Sequence, residues 1–324
     1  MDSNTTRRRQ GGRGRRAAGG IAQLPWRDVT NPYPPLQVLS ADQLEAIHLT
    51  SLRILEELGI EVMSPRALAV LSAAGASVDA DTGLVRLDRG LVQQALSSAP
   101  ASFTLTPRNP AHRVVLGGNQ INFGLVAGPP SVHDCERGRR PGNYSDYCDF
   151  IRLAQYFNAI HLIGNQVCAP VELPANSRHL DTYRANLLYS DRVYHCTAIG
   201  AGRALDGIRM MAIARGLSLE QMAQSPGVIT VISVNSPRRF DAAMADGLMT
   251  MAEHAQAVVI TPFTLMGAMA PVSLAAALAQ QNAEALFGAV LAQLVRPGAP
   301  IVYGAFTSNV DMRSGAPAFG TPEN

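Results

Sequence analysis

VITVISVNSPRRFDAAMADGLMTMAEHAQAVVIT, residues 228–261, spells one strand, one helix and the next strand. It opens on an apolar, β-branched run, Val228–Val234, and breaks at Asn235-Ser236-Pro237. Residues 238–255 then carry apolar side chains at helical spacing, and Ala257–Thr261 is apolar again. A strand this apolar has no wet face, so it belongs in a parallel sheet covered by helices. Moving outward, the same alternation continues. Strands are expected near Ile160–Ile163, Val193–Ile199 and Ile301–Phe306, with helices over 177–189, 202–215 and 273–295. Ser218-Leu219-Glu220-Gln221 adds a short helical turn. Five such units share 160–324, at about 33 residues each; eight would need about 265, near the ~250 of a (β/α)8 barrel. The fold class is therefore α/β, as a five-stranded open sheet or as an incomplete (β/α)8 TIM-type barrel of about five units.

Upstream the grammar differs. Residues 37–157 read as an N-terminal helical and β-hairpin cap, and 158–324 as the first part of the barrel. Ser40-x-x-Gln43 is a capping box, Ser64-Pro65 a second helix start and Asp88 a third. Gly59 closes the first helix. Residues 113–126 predict a hairpin of Arg113–Leu116 with Ile121–Leu125, and Asn143 or Ser145 caps a helix to about Ala159. Residues 1–36 read as a disordered Arg/Gly-rich tail, solubilising rather than nucleic-acid-binding.

Composition excludes several chemistries. All 27 basic side chains are Arg, and Lys is absent. Schiff-base, pyridoxal-phosphate, Walker A and protein-kinase mechanisms all need a Lys amine. Six Arg fall in the first 16 residues, so the other 308 residues carry a net charge of −3. The four Cys include no CxxC pair, and no secretory signal opens the chain, which points to reduced thiols in the cytoplasm. No Asp, Glu, Lys or Arg lies between Glu253 and Glu284. Pro262, Pro271 and the polar run Gln280-Gln281-Asn282 argue for a core-facing helix there rather than a membrane span.

Motif searches return little. Gly200-Ala201-Gly202 lacks the third Gly of a dinucleotide fingerprint, and no G-x-S-x-G elbow occurs. His195-Cys196 lies in a strand, where neighbours face opposite ways. His133-Asp134-Cys135 reads as a solvated turn, so no metal site is expected. Polar groups instead gather at the carboxyl ends of the parallel strands, where α/β folds place their sites. They are Asn165, Gln166 and Glu172; His195 and Thr197; Ser233, Asn235 and Ser236; Thr261, Phe263 and Thr264; then Tyr303, Phe306, Thr307, Ser308, Asn309 and Asp311. His195, Asn235, Phe263, Thr264, Tyr303, Phe306 and Asp311 form the expected substrate-binding set. Neutral hydrogen-bonders and aromatic faces suit a quaternary ammonium. A lyase or isomerase would need a charged base, for which Glu172, His195 and Asp311 are the candidates.

TLMGAMAPVSLAAALAQQNAEAL (264–286) and SNVDMRSGAPAFGTPE (308–323), with SLRILEELGIEV (51–62), resemble the trimethylamine methyltransferase family over nearly the whole chain. The resemblance implies a (β/α)8 barrel with an N-terminal cap. It also implies transfer of a methyl group from a methylated amine, tertiary or quaternary, to the cobalt of a corrinoid protein. The cobalt corrinoid would be carried by that cognate partner, with no cofactor bound directly and a homo-oligomer possible. Archaeal trimethylamine enzymes of the family carry pyrrolysine, and no position here is assigned to it. The reading is a non-pyrrolysine member, C-terminally truncated by the gene or by a stop codon, with a poorly soluble open half-barrel. A non-catalytic homologue binding a quaternary ammonium or a corrinoid protein is the alternative.

Overall fold

Helix starts fall where the capping side chains stand in this computed structural model, which describes residues 20–164 and 166–321. Ser40 Oγ accepts the Gln43 N–H and Gln43 Oε1 accepts the Ser40 N–H, opening α1 (Ala41–Arg53). Ser64 opens α2 (Pro65–Ala73) and Asp88 opens α3 (Arg89–Leu96). Asn143, rather than Ser145, caps α4 (Tyr144–Tyr156). Each cap serves an N–H that the helix cannot satisfy itself, worth about 1 kcal/mol. After α1 the chain makes one π-helical turn, Ile54–Leu58, and leaves through Gly59 at φ 70°.

β1 (Leu162–Ile163), β2 (Val193–His195), β3 (Val228–Ile232), β4 (Ala257–Ile260) and β5 (Ile301–Tyr303) form one sheet in that order, every pairing parallel. They are joined through α5 (Arg178–Tyr189), α6 (Ala201–Arg215), α7 (Leu219–Gln224), α8 (Ala242–Glu253) and α9 (Leu274–Val295). Strand order never reverses, which keeps right-handed crossovers on one side of the sheet. On that side Ile163, Tyr194, Val228, Ile232, Val258 and Ile260 join Met211, Leu248 and Phe287 in the main core. Side chains alternate along a strand, and the other face differs. Val193, Ile229 and Ala257 share a small separate core with Leu105 and Val114. Those two residues belong to a hairpin of Ser102–Leu105 with Val114–Gly117, which covers the amino-terminal half of the inner face. The carboxyl half lies open: Val231, in the central strand, is 44% exposed. Beyond β5 no strand pairs among the described residues.

Several expectations change. Val114–Gly117 pairs with Ser102–Leu105, and Gln120–Ile121 pairs with Val29–Thr30, so the expected hairpin across 117–120 does not form. Residues 1–19 of the expected tail lie outside the described residues. Residues 20–36 do not stand off as a tail. Ile21 N donates to Tyr156 Oη at 2.8 Å, and the Trp26 ring lies tilted against His112 and His161, with centroids 4.5 Å and 4.9 Å away. α8 starts later than periodicity suggests, because Arg239–Phe240 first pairs with Glu61–Val62 of the cap. α9 buries nearly all its length, and its polar residues are partnered. Gln280 donates to Met269 O at 3.0 Å, and Asn282 bonds both Ser51 Oγ and Tyr303 Oη. No described helix is long and apolar enough to cross a membrane. His133-Asp134-Cys135 sits at a hairpin turn, where Asp134 accepts the Glu136 and Arg137 N–H groups.

Candidate functional site

The open inner face is built by strand alternation. Its carboxyl half carries His195, Val231, Val259 and Val302 by register, then Ser233 and Thr261 just past the strands. Ser233 Oγ donates to Thr261 O at 2.7 Å, linking two neighbouring strand ends. His195 is half-buried by surface, but its ring sits within the sheet. Its Nε2 accepts the Val231 N–H at 2.7 Å. Burial pushes the imidazole down to about 4, so it stays neutral near pH 7.

That shift predicts a pH effect. The unfolded imidazole takes a proton near pH 6.5 and the folded one only near 4. The unfolded state therefore binds more protons between those values, and stability falls as pH drops through that window. The loss approaches ~3 kcal/mol at its lower end. Urea unfolding at pH 7 and pH 5 should show a steeper loss in the wild type than in His195→Gln. Equal losses in both proteins would assign the pH dependence to other groups.

The other expected residues separate. Phe263 and Phe306 meet, with ring centroids 5.1 Å apart, and Phe319 adds a third ring 5.5 Å from Phe306. They stand on a small sheet of Phe263–Met266, Phe306–Val310 and Pro317–Ala318, built by the loops after β4 and β5. Thr264 is buried, 3.4 Å from Ser236 Oγ. Tyr303 points away from the inner face and donates to Asn282 Oδ1 of α9 at 3.0 Å. Asn235 is exposed and donates to Asp241 Oδ2 at 2.9 Å. Asp311 forms a turn, accepting from Arg313 N at 2.9 Å and Ser314 Oγ at 2.8 Å. These bonds hold its carboxyl below the ordinary range. Glu172 accepts the Tyr144 N–H at the start of α4. Of the expected set, only His195 lies on the inner face, and only Phe263 and Phe306 touch one another. Asn165 lies outside the described residues.

Sequence reasoning missed two features. Glu284, within α9, is fully buried and accepts from Ser236 Oγ at 2.5 Å, Arg238 N at 2.8 Å and Gln280 Nε2 at 3.0 Å. Burial raises its carboxyl, although those hydrogen bonds oppose the rise. The signal was a single acid closing a long uncharged stretch. Phe319 was missed because only the antiparallel return of Pro317–Ala318 brings it back. The four thiols are free, and burial pushes Cys196 up to about 12. No group of three His, Cys, Asp or Glu able to hold a metal occurs among the described residues.

A parallel sheet wound without reversal, with its helices on one side, defines an α/β protein. The family model for trimethylamine methyltransferase (MTTB) matches residues 5–324, and the chain belongs to that family. Glycine betaine methyltransferase of Desulfitobacterium hafniense (strain Y51) is 37% identical over 290 residues, covering 90% of this chain and 60% of that protein. Trimethylamine methyltransferase MttB of Desulfitobacterium hafniense (strain DSM 10664 / DCB-2) is 28% identical, with 88% and 57% covered. Proline betaine:corrinoid methyltransferase of Eubacterium limosum is 26% identical, with 88% and 59% covered. The chain thus spans about three fifths of the length of these curated relatives. The crystal structure of the hydroxylamine MtmB complex aligns over 82% of this chain and 67% of its own, at 12% identity and a TM-score of 0.39.

Proposed function

We propose that this chain forms part of a methyltransferase that takes a methyl group from a quaternary amine and passes it to a corrinoid protein. The five strands make an arc of a (β/α)8 barrel in this reading. Chain-order parallel pairing and helices on one side both support it. The observation that carries the substrate class is the Phe263–Phe306–Phe319 cluster beyond β4 and β5. Phe306 and Phe319 are 41% and 57% exposed, so ring faces remain for a methylated cation.

The chemistry agrees with the residues. When a quaternary C–N bond breaks, its electron pair stays on nitrogen and a neutral tertiary amine leaves. No proton has to come from the protein. The candidate bases Glu172, His195 and Asp311 are each engaged by hydrogen bonds, as is the buried Glu284. What remains for the chain is to hold and orient the donor and to exclude water. A partner-borne cobalt corrinoid would supply the methyl acceptor.

With Co(I) cobalamin under anaerobic conditions, glycine betaine is expected to be demethylated and trimethylamine is not. Absorbance of the cobalamin reports the transfer. Transfer from trimethylamine alone would overturn the quaternary reading. Glycine betaine binding without any transfer would mark the non-catalytic alternative.

A further inference from the structure

His195 is the one titratable side chain at the inner positions of the five strands among the described residues. Its tautomer follows from its partner. A backbone N–H can only donate, so Nε2 carries the lone pair and the neutral ring holds its proton on Nδ1. The bond also interrupts the sheet. Cys196 N donates to Ile229 O at 2.8 Å, so a regular parallel ladder would next send the Val231 N–H to Cys196 O. Instead Cys196 O accepts Thr230 Oγ1 at 2.7 Å, and the imidazole takes the Val231 N–H. The ring is thereby clamped between β2 and β3. Nδ1 bonds no described residue, beside a face where Val231 is 44% exposed.

A fixed N–H donor selects an acceptor and turns away a cation. The carboxylate of a zwitterionic amine is the group on such a donor that can accept this N–H. We propose that His195 Nδ1–H binds the carboxylate of a zwitterionic quaternary amine, making His195 the residue that selects betaine-type donors over simple tetraalkylammonium ions. This rests on the quaternary-amine reading above. The ring stays neutral, so the contact adds specificity without the cost of a buried cation.

The test is calorimetric titration with glycine betaine and with tetramethylammonium. Oε1 of His195→Gln can still accept the Val231 N–H, while no donor remains at the Nδ1 position. Wild type should bind both ligands. His195→Gln should weaken glycine betaine by ~10-fold or more and leave tetramethylammonium within about twofold. Equal loss for both ligands, or no loss for either, would reduce His195 to a patch in the ladder. Wild type that binds tetramethylammonium but not glycine betaine overturns the His195 role and spares the quaternary reading. If wild type binds neither ligand, both fall. Nitrogen NMR of wild type gives a readout free of folding defects. Nδ1 should be the protonated nitrogen, and glycine betaine but not tetramethylammonium should shift it. An unshifted Nδ1 overturns the proposal.

Discussion

Gly247→Ala is expected to destabilise this protein by on the order of 3 kcal/mol or more, or to prevent folding. Gly247 lies buried in α8, and a Cβ built there would overlap the Ala198 carbonyl oxygen and press on Ala198 Cβ. The obstacle is backbone, so no rotamer change relieves it. Either α8 moves off the sheet or the segment after β2 shifts, and that segment follows His195 directly. Ordinary helix propensity would favour Ala over Gly by ~1 kcal/mol, so the sign comes from contact alone. Gly202→Ala is the control. It is exposed in α6 with nothing within 4 Å of the new methyl group, and should be neutral or stabilising. Paired thermal melts decide the matter. Similar midpoints for the two variants would show that α8 has room to yield.

Arg192→Leu is the second large effect, expected to cost ~3–5 kcal/mol. Arg192 is only 3% exposed. Its guanidinium donates to the carbonyls of Ala154 at 2.5 Å, Phe157 at 2.7 Å, Gln155 at 3.0 Å and Ile160. These carbonyls lie at the end of α4 and in the turn after it, where Phe157 O also accepts the Ile160 N–H, and a cation there offsets the negative end of the helix. Burial pulls the guanidinium below its ordinary value, with Asp191 opposing. Leu fills part of the space but leaves the carbonyls dry. Arg192 also lies 5.0 Å from the centroid of Trp26, the single Trp of the chain. Fluorescence therefore reads the same event. The variant should show a lower urea midpoint and red-shifted Trp26 emission. An unchanged midpoint would mean that water replaces the guanidinium without loss, and unchanged emission that residues 20–36 hold their place without it.

Legibility in the sequence followed range. Ser40-Gln43, Ser64 and Asp88 act on backbone three residues away or fewer and were readable as caps; Asn143 was one of two candidates, with Ser145. The apolar runs at Val193, Val228, Ala257 and Ile301 were readable as strands, since alternation and β-branching are local. Their carboxyl ends were not. Val193–Ile199 was expected to run on, but β2 stops at His195, because a ring from its own last residue replaces a ladder bond to β3. Tyr303 fell among the site residues by position. Its register with Ile260, an outer-face residue, turns it toward Asn282.

The sequence by itself determined the α/β class, the alternation of five apolar strands with helices, most helix starts and, through 264–286 and 308–323, the family. Only the tertiary structure decided which groups share a face. It brought Ser102–Leu105 and Val114–Gly117 onto the inner face and left Val231 open above them. It buried Glu284 against a loop 46 residues away in sequence. The physical reason is that period and capping are set by neighbours along the chain. Coverage of a face, the partner of a carboxylate and the tautomer of an imidazole are set by atoms the chain brings back from far away.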